Sequence, residues 1–155
     1  YAIGLIKNKY IGRTFISPEQ SSRMDRVKIK LSVIEEIVRG KRVILVDDSI
    51  VRGTTIGCIV KLLRDAGAVE IHIRISAPPF LHPCYYGTDI DSEDHLIACK
   101  YEITEIADLL GADTLGYLPL EALKPMIGNG NYCSACFDGK YPTVIENDAG
   151  KNCFE

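Results

Sequence analysis

The sequence predicts an α/β protein built on a parallel sheet, and three stretches of patterning carry that prediction. A short apolar run, Val43–Val46, is typical of a buried strand. A loop follows, and residues 56–66 then show apolar side chains at helical spacing, on the face formed by Ile56, Ile59, Val60 and Leu63. Residues 69–75 alternate apolar and polar positions, as a strand does. Strand, helix and strand in this order indicate a right-handed parallel crossover.

The remaining elements are weaker signals along the chain. Apolar residues predict a strand at Ala2–Ile6, and polar residues with Pro18 predict a loop at Thr14–Ser22. Gly67 stands where a helix-ending glycine is expected. The later predictions are a helix at Glu102–Leu110 with Ile103, Ile106, Ala107 and Leu110 inward, a strand at Leu115–Leu118 and a helix at Leu120–Ile127. A glycine-rich stretch follows the last predicted helix and marks a predicted boundary. It separates a main domain, 1–127, from a cysteine-containing tail, 128–155.

Composition excludes several classes of protein. The 155 residues suit one domain, and 46% hydrophobic with 25% charged residues is ordinary for a globular protein. No apolar run approaches the roughly 20 residues of a membrane helix. Residues 1–42 carry ten Lys and Arg against four Asp and Glu, whereas the rest carries eight against seventeen. With a pI near 5.7 and no aromatic residues between the basic ones, this asymmetry favours a phosphorylated small molecule over nucleic acid.

Two carboxylates, Asp47 and Asp48, follow the predicted central strand directly. In parallel sheets ligands bind at the carboxyl ends of strands, and a helix N-terminus attracts anions. Ser49, Thr54 and Thr55 add hydroxyl donors, so the loop can hold a phosphate while the carboxylates bind hydroxyls or Mg²⁺. A lone Asp-Asp pair would more simply cap a helix, and the spacing of a Walker loop is absent. The thirteen-residue run as a whole favours phosphate binding.

Six cysteines without a secretory pattern indicate metal binding or buried thiols rather than disulfides. Cys133 and Cys136 form a C-x-x-C motif in a glycine-flanked loop, and Cys84 lies in a proline-rich loop, so all three are expected outside regular structure. From the residues alone, zinc is the first expectation, although three thiolates leave one of its four positions open. Cys58, on the predicted central helix, is expected to be a small core residue.

The run from Val46 to Thr55 resembles the 5-phosphoribosyl-1-pyrophosphate (PRPP) signature of type I phosphoribosyltransferases, in the form found in the amidophosphoribosyltransferase family. The resemblance extends in order over nearly the whole chain. It includes Lys7–Tyr10, Gly12–Ile16, Arg74–Pro79, Gly111–Leu115, Cys133–Phe137 and Gly139–Pro142. It implies the type I phosphoribosyltransferase fold, a parallel sheet flanked by helices, with a loop from Arg13 to about Lys30 that closes over PRPP.

The resemblance implies a role for each residue of the loop. Asp47 and Asp48 would hold the ribose hydroxyls, with Mg²⁺ bridging to the pyrophosphate; no acid or base catalyst is assigned, because catalysis in this family is mainly positioning. The 5′-phosphate would be held by Ser49, Val51, Arg52, Gly53, Thr54 and Thr55. The implied reaction joins PRPP to glutamine-derived ammonia, giving 5-phosphoribosylamine and pyrophosphate, the first committed step of purine synthesis.

The resemblance implies that the cysteines hold a [4Fe–4S] cluster, in place of the zinc expected from the residues alone. Cys84, Cys133 and Cys136 match three of the four ligands in the cluster-bearing branch of the family, and the fourth would precede Tyr1. Cys99, Cys153 and His82 are the substitutes within the chain if that is wrong. The chain is therefore expected to be a C-terminal fragment, inactive alone, that lacks an N-terminal glutaminase domain.

Further expectations concern regulation and setting. Lys7 lies in a motif that resembles the family's purine nucleotide feedback site. A homo-oligomer in the cytoplasm is expected, with no membrane or nucleic-acid partner. Two other functions stay open: a PRPP-sensing regulator with the same fold, and a zinc-binding interaction module. A turnover assay separates the first from the enzyme, and the bound metal separates the second.

Overall fold

The computed structural model describes residues 1–7, 31–90, 92–126, 128 and 132–145. Its strands are β1 (Leu5–Lys7), β2 (Leu31–Val33), β3 (Arg42–Asp47), β4 (Glu70–Ile75) and β5 (Thr114–Tyr117). Its α-helices are α1 (Glu35–Val38), α2 (Thr54–Asp65), α3 (Ile103–Leu110), α4 (Leu120–Met126) and α5 (Ala135–Asp138). Short 3-10 helices at Glu93–His95 and Ile97–Cys99 precede α3. Strands and helices alternate from β3 to α4, as they do in α/β proteins.

Strands β3, β4 and β5 form one sheet in that order, and backbone hydrogen bonds set the direction of the first pair. Val69 N donates to Lys41 O over 2.9 Å just before the two strands, and Ser76 N donates to Asp47 O over 3.0 Å just after β4. Residue numbers rise together along both strands, so β3 and β4 are parallel.

The second pair has the same direction. Asp113 N donates to Ile71 O over 2.8 Å, and Leu118 N donates to Ile75 O over 2.9 Å, so β5 is parallel to β4. Strands β1 and β2 form a separate antiparallel pair. The predicted α/β class with a parallel sheet is confirmed.

Helix α2 follows the predicted pattern closely. The side chains expected to face inward are all buried, namely Ile56, Ile59, Val60 and Leu63. Gly67 has a φ of +90°, in the left-handed region that ends helices, and its N–H donates to Arg64 O. The predicted helix and its glycine stop are confirmed.

The chain forms two compact units. The first comprises Tyr1–Leu45, Gly53–Ile73 and Ala107–Leu115. The second comprises Val46–Arg52, Arg74–Ile106 and Gly116–Glu155, and its core is a cluster of Phe80, Ile90 and Leu96. The predicted boundary at residue 128 stays a prediction.

Within the first unit, an arginine joins the end of α2 to β4 and β5. Arg64 donates to Val69 O over 2.9 Å and forms a 2.6 Å ion pair with Asp113. The same Asp113 oxygen accepts the N–H of Ile71 over 2.6 Å. These donors, first the Ile71 amide and then Arg64, lower the pKa of Asp113.

Strand β3 departs from the prediction of a buried strand. Val43 and Leu45 are half-buried, but Ile44 and Val46 are 69% and 68% exposed. The physical reason is that successive side chains of a strand point to opposite faces of the sheet, and the described residues do not bury the face that carries Ile44 and Val46. The four-residue run is buried on one face only.

Other departures lie at the ends of elements. Val69 and Ile103 were expected to face inward, yet both are exposed, because Val69 precedes β4 and Ile103 begins α3. Strand β2 and helices α1 and α5 are not predicted from the sequence. Each spans three or four residues, which is too short for a periodic pattern to develop.

None of the helices in the described part of the chain is long and apolar enough to cross a membrane. The predicted loop Thr14–Ser22, the closing loop from Arg13 to Lys30, Ile127 and Cys153 lie outside the described residues.

The core of the first unit can be tested with a matched pair of leucines. Leu63 is 1% exposed and Leu109 is 59% exposed. We expect Leu63→Ala to lower the free energy of unfolding by about 3 kcal/mol, because it removes buried methyl groups and leaves a cavity. Leu109→Ala should change it by less than about 0.5 kcal/mol. Urea denaturation of the intact protein measures both, and equal losses would contradict the assignment of this core.

Candidate functional site

The two carboxylates predicted to bind ligand lie where β3 ends, as expected. Asp47 is the last residue of the strand and is half-buried, while Asp48 is exposed. Asp47 Oδ1 accepts the N–H of Asp48 over 3.0 Å, and Asp48 Oδ1 accepts the Ser49 hydroxyl over 2.9 Å. Each carboxylate is therefore oriented through one oxygen by the loop itself.

The second oxygen of each carboxylate makes no hydrogen bond with the part of the chain that the structure describes. Burial raises the pKa of Asp47; the adjacent Asp48 amide opposes this, and the Asp48 charge adds to it. A cation or a hydroxyl donor bound here would favour the ionised form. This is oxygen-donor chemistry of the kind that Mg²⁺ and sugar hydroxyls require.

Ser76 supports the carboxylate pair from the end of β4, a role that sequence reasoning did not assign. Its N–H donates to Asp47 O over 3.0 Å, and its hydroxyl lies 3.2 Å from Asp47 O and 3.4 Å from Asp48 O. The backbone of both aspartates is therefore fixed while their carboxylates stay available. A polar residue at the carboxyl end of the neighbouring strand was the available sequence signal.

The next residues of the loop are anchored in the second unit. Ile50 is buried, and Val51 packs against the cluster of Phe80, Ile90 and Leu96. Val51 O also accepts the N–H of Ile97 over 2.9 Å. Apolar burial and one carbonyl oxygen therefore hold this part of the loop.

Helix α2 begins with a glycine that offers no side-chain cap. Gly53 is the N-cap residue with a φ of +78°, and its carbonyl accepts the N–H of Gly57 over 2.9 Å. No side-chain hydrogen bond caps the helix at this residue. The first-turn amides, including those of Thr54 and Thr55, are oriented as a helix N-terminus orients them toward an anion.

The three predicted thiol ligands all belong to the second unit. Cys84 lies outside regular structure and is half-buried, as is Cys136, whereas Cys133 is exposed. Cys136 is in the one-turn helix α5, so the prediction of a purely irregular C-x-x-C loop is wrong for this residue. Leu81 N and His82 N both donate to Cys136 O, at 2.9 and 3.1 Å, which joins the tail to the loop that carries Cys84.

The thiols influence one another. Burial, followed by the nearby Cys84 thiol, raises the pKa of Cys136 to about 11, and Cys133 adds to the effect. Hydrogen bonds from backbone amides at Tyr86 to Thr88 outweigh burial at Cys84 and lower its pKa. The described residues contain no group of three or more His, Cys, Asp or Glu side chains that could hold a metal ion.

The alternative ligands are engaged elsewhere. His82 Nδ1 lies 3.3 Å from Glu93 Oε1, and Cys99 Sγ lies 3.3 Å from Leu81 O. Cys58 is half-buried on α2 and belongs to the first unit, whereas the other described cysteines belong to the second. Lys7 is exposed at the end of β1, next to Leu31 in the antiparallel pair.

Comparison with known proteins agrees with this geometry. A sequence model of the phosphoribosyl transferase domain family matches residues 5–108, which include the sheet strands β3 and β4 and the loop after β3. The chain belongs to the phosphoribosyltransferase domain family.

Within the phosphoribosyltransferase family, the chain is similar to amidophosphoribosyltransferases. It is 51% identical to that of Synechococcus elongatus and 52% identical to that of Bacillus subtilis, over 96% of this chain in both cases. A solved structure, the glutamine PRPP amidotransferase from B. subtilis complexed with ADP and GMP, matches 96% of this chain with a TM-score of 0.80 and 51% identity. The chain spans 30% and 32% of the two relatives and 34% of the solved chain.

Two glycines near the start of α2 test how this phosphoribosyltransferase loop is built. Gly53→Ala should lower the free energy of unfolding by about 1 kcal/mol or more, because alanine is strained at a φ of +78°. Gly57→Ala should raise it by up to about 1 kcal/mol, since alanine favours helices. The new methyl would meet Leu110 at 3.6 Å, an ordinary contact. Thermal unfolding of the two variants measures this, and changes of the same sign would contradict the loop geometry.

Proposed function

We propose that this chain supplies the PRPP-binding part of an amidophosphoribosyltransferase, which forms 5-phosphoribosylamine and pyrophosphate from PRPP and ammonia. Two amidophosphoribosyltransferases that are 51% and 52% identical to the chain support this activity. The observation that carries the proposal is the loop of Asp47–Thr55: an oriented carboxylate pair ends a parallel strand, and a left-handed glycine begins the next helix.

The loop divides the recognition of PRPP between its two ends. Asp47 and Asp48 bind the ribose hydroxyls through the carboxylate oxygens that the loop leaves unused. The 5′-phosphate is held by backbone amides and hydroxyls of the later residues, which are Ser49, Val51, Arg52, Gly53, Thr54 and Thr55. A dianionic phosphate at a helix N-terminus gains from both the open amides and the helix dipole.

The chemistry needs positioning more than proton transfer. Ammonia attacks the anomeric carbon, the carbon–oxygen bond to pyrophosphate breaks, and charge develops on the ribose ring in the transition state. Carboxylates fixed beside the ribose stabilise that positive charge, and backbone fixed by Ser76 keeps them in place without reorganisation. Mg²⁺, held by Asp47 and Asp48, would neutralise the leaving pyrophosphate.

The carboxylate role can be tested by an isosteric change. Asp48→Asn should weaken the binding of magnesium-PRPP to the intact protein by about 10- to 100-fold, since hydrogen bonds to charged groups contribute about 1.5–3 kcal/mol. Asp65→Asn, at the exposed end of α2, is the matched control and should bind normally. Titration calorimetry measures both affinities.

Wild-type affinity in Asp48→Asn would contradict the proposed loop. Binding without any production of 5-phosphoribosylamine from ammonia would instead favour the PRPP-sensing regulator. PRPP affinity and the formation of 5-phosphoribosylamine are measured independently on the same protein. The two measurements therefore distinguish binding of the sugar phosphate from catalysis.

We also propose that Cys84, Cys133 and Cys136 hold a [4Fe–4S] cluster, with a fourth ligand from outside this chain. The donor set supports this, because thiolates are the ligands of such clusters, and two of the three cysteines, Cys84 and Cys136, pack against an apolar cluster. The apolar side chains beside Cys84 and Cys136, namely Phe80, Ile90, Leu96 and Phe137, would limit solvent access to the group. The proposed role of the cluster is structural and needs no electron transfer.

Metal analysis tests the cluster against zinc. The intact protein, reconstituted anaerobically with iron and sulfide, should contain about four iron atoms per chain. Cys136→Ser should lose this iron, whereas Cys58→Ser, a cysteine in the other unit, should retain it. About one zinc atom per chain, removed by the same substitution, would overturn the cluster and support a zinc module.

The remaining proposals concern the whole protein. The relatives are about three times as long as this chain, which supports a separate glutaminase domain that supplies ammonia. The matching B. subtilis enzyme forms a complex with ADP and GMP. This supports inhibition of the present protein by purine nucleotides, which Lys7 would contact. A homo-oligomer in the cytoplasm fits such an enzyme.

A further inference from the structure

The tail segment 132–145 is attached to the loop 80–90 by hydrogen bonds and a ring contact in which no cysteine sulfur takes part. Cys136 takes part through its carbonyl oxygen, which accepts the amides of Leu81 and His82 at 2.9 and 3.1 Å. The rings of Phe80 and Phe137 pack with their centroids 5.0 Å apart. None of these contacts requires a group to be bound to the thiols.

Tyr141 contacts both sequence neighbours of Cys84. Its hydroxyl donates to the carbonyl oxygen of Pro83 over 2.8 Å, and this bond is partly buried. Its ring packs edge-on against Tyr85, with centroids 5.1 Å apart. One side chain of the tail thus restrains the backbone on either side of a cysteine in the loop.

The turn between Cys136 and Tyr141 is also fixed. Gly139 has a φ of +70°, and a Cβ at this position would lie 3.1 Å from His82 Nε2. His82 itself is held by Glu93, whose carboxylate lies 3.3 Å from Nδ1. Another residue here would combine a strained backbone angle with a tight contact to the His82 ring, so glycine suits this turn between α5 and Tyr141.

We propose that Tyr141 is a positioning residue that locks the Cys84 loop to the Cys136 tail before any metal or cluster binds. Two thiols are then placed by the protein fold, and the exposed Cys133 is the one that closes onto an incoming thiol-binding group. Ordering two ligands in advance raises affinity, because less conformational entropy is lost on binding. The inference concerns the metal-free protein and does not depend on which group the thiols bind.

Hydrogen exchange in the intact, metal-free protein tests the lock directly. The amides of Leu81 and His82 report on the attachment, because their acceptor is Cys136 O. In the wild type they should exchange slowly. Tyr141→Phe, which keeps the ring and loses the hydroxyl, should speed their exchange by about fivefold, the effect of one hydrogen bond. Tyr141→Ala, which also loses the ring contact, should speed it by more than about tenfold.

Two controls separate a local effect from unfolding. Tyr101→Phe removes an exposed hydroxyl from the same unit and should leave the exchange of Leu81 and His82 unchanged. The amides of Val60 and Leu63, buried in α2, should exchange at the wild-type rate in every variant. If Tyr141→Ala unfolds the protein, Tyr141→Phe still decides the question.

The lock is overturned if Leu81 and His82 exchange freely in the metal-free wild type, or if both Tyr141 variants exchange as the wild type does. Iron and sulfide reconstitution is measured separately on the same proteins. A wild type that shows protected amides and binds no iron would contradict the cluster and leave the lock supported.

Discussion

The hydrogen bonds from Ser76 to the carbonyl oxygens of Asp47 and Asp48 are the constraint on which the candidate site depends. They continue the parallel pairing of β3 and β4 past the end of β3 and hold the backbone at the point where the chain leaves the sheet. Because the backbone oxygens are used, the carboxylates need only one oxygen each to be oriented. The next two residues are fixed by the burial of Ile50, the packing of Val51 and the hydrogen bond that Val51 O accepts from Ile97 N. The candidate site is thus built mainly from interactions that leave one oxygen of each carboxylate available.

The cysteine-bearing tail follows the same design. Its attachment relies on a carbonyl oxygen, a tyrosine hydroxyl and two pairs of aromatic rings, and the sulfur atoms remain available. The apolar environment disfavours the thiolate of Cys136 and so raises its pKa. A bound metal would reverse this preference, because a cation stabilises the thiolate that coordinates it. The Cys136 thiol is therefore neutral and stable in its apolar surroundings, and a bound cation would favour its ionised form.

The exposed face of β3 shows how much of a strand's environment lies outside its own sequence. Val43 and Leu45 face described parts of the fold, but Ile44 and Val46 do not, although all four residues are equally apolar. In α/β proteins both faces of a parallel sheet are normally covered. The chain spans only about a third of the relatives that it resembles, so the residues that would cover this face need not be among those described here.

The sequence by itself determined the α/β class, the position of α2 and the place of the carboxylate pair. These features are local: helical spacing identifies Ile56, Ile59, Val60 and Leu63, and a strand followed by two aspartates needs no distant partner to be recognised. The family resemblance of the loop is local for the same reason. The tertiary structure alone decided which side of β3 is buried, that Ser76 braces Asp47 and Asp48, and that Tyr141 contacts the neighbours of Cys84. These contacts join residues 28 to 58 positions apart, and the pairing of such distant residues is set by the packing of the whole chain rather than by any pattern along it.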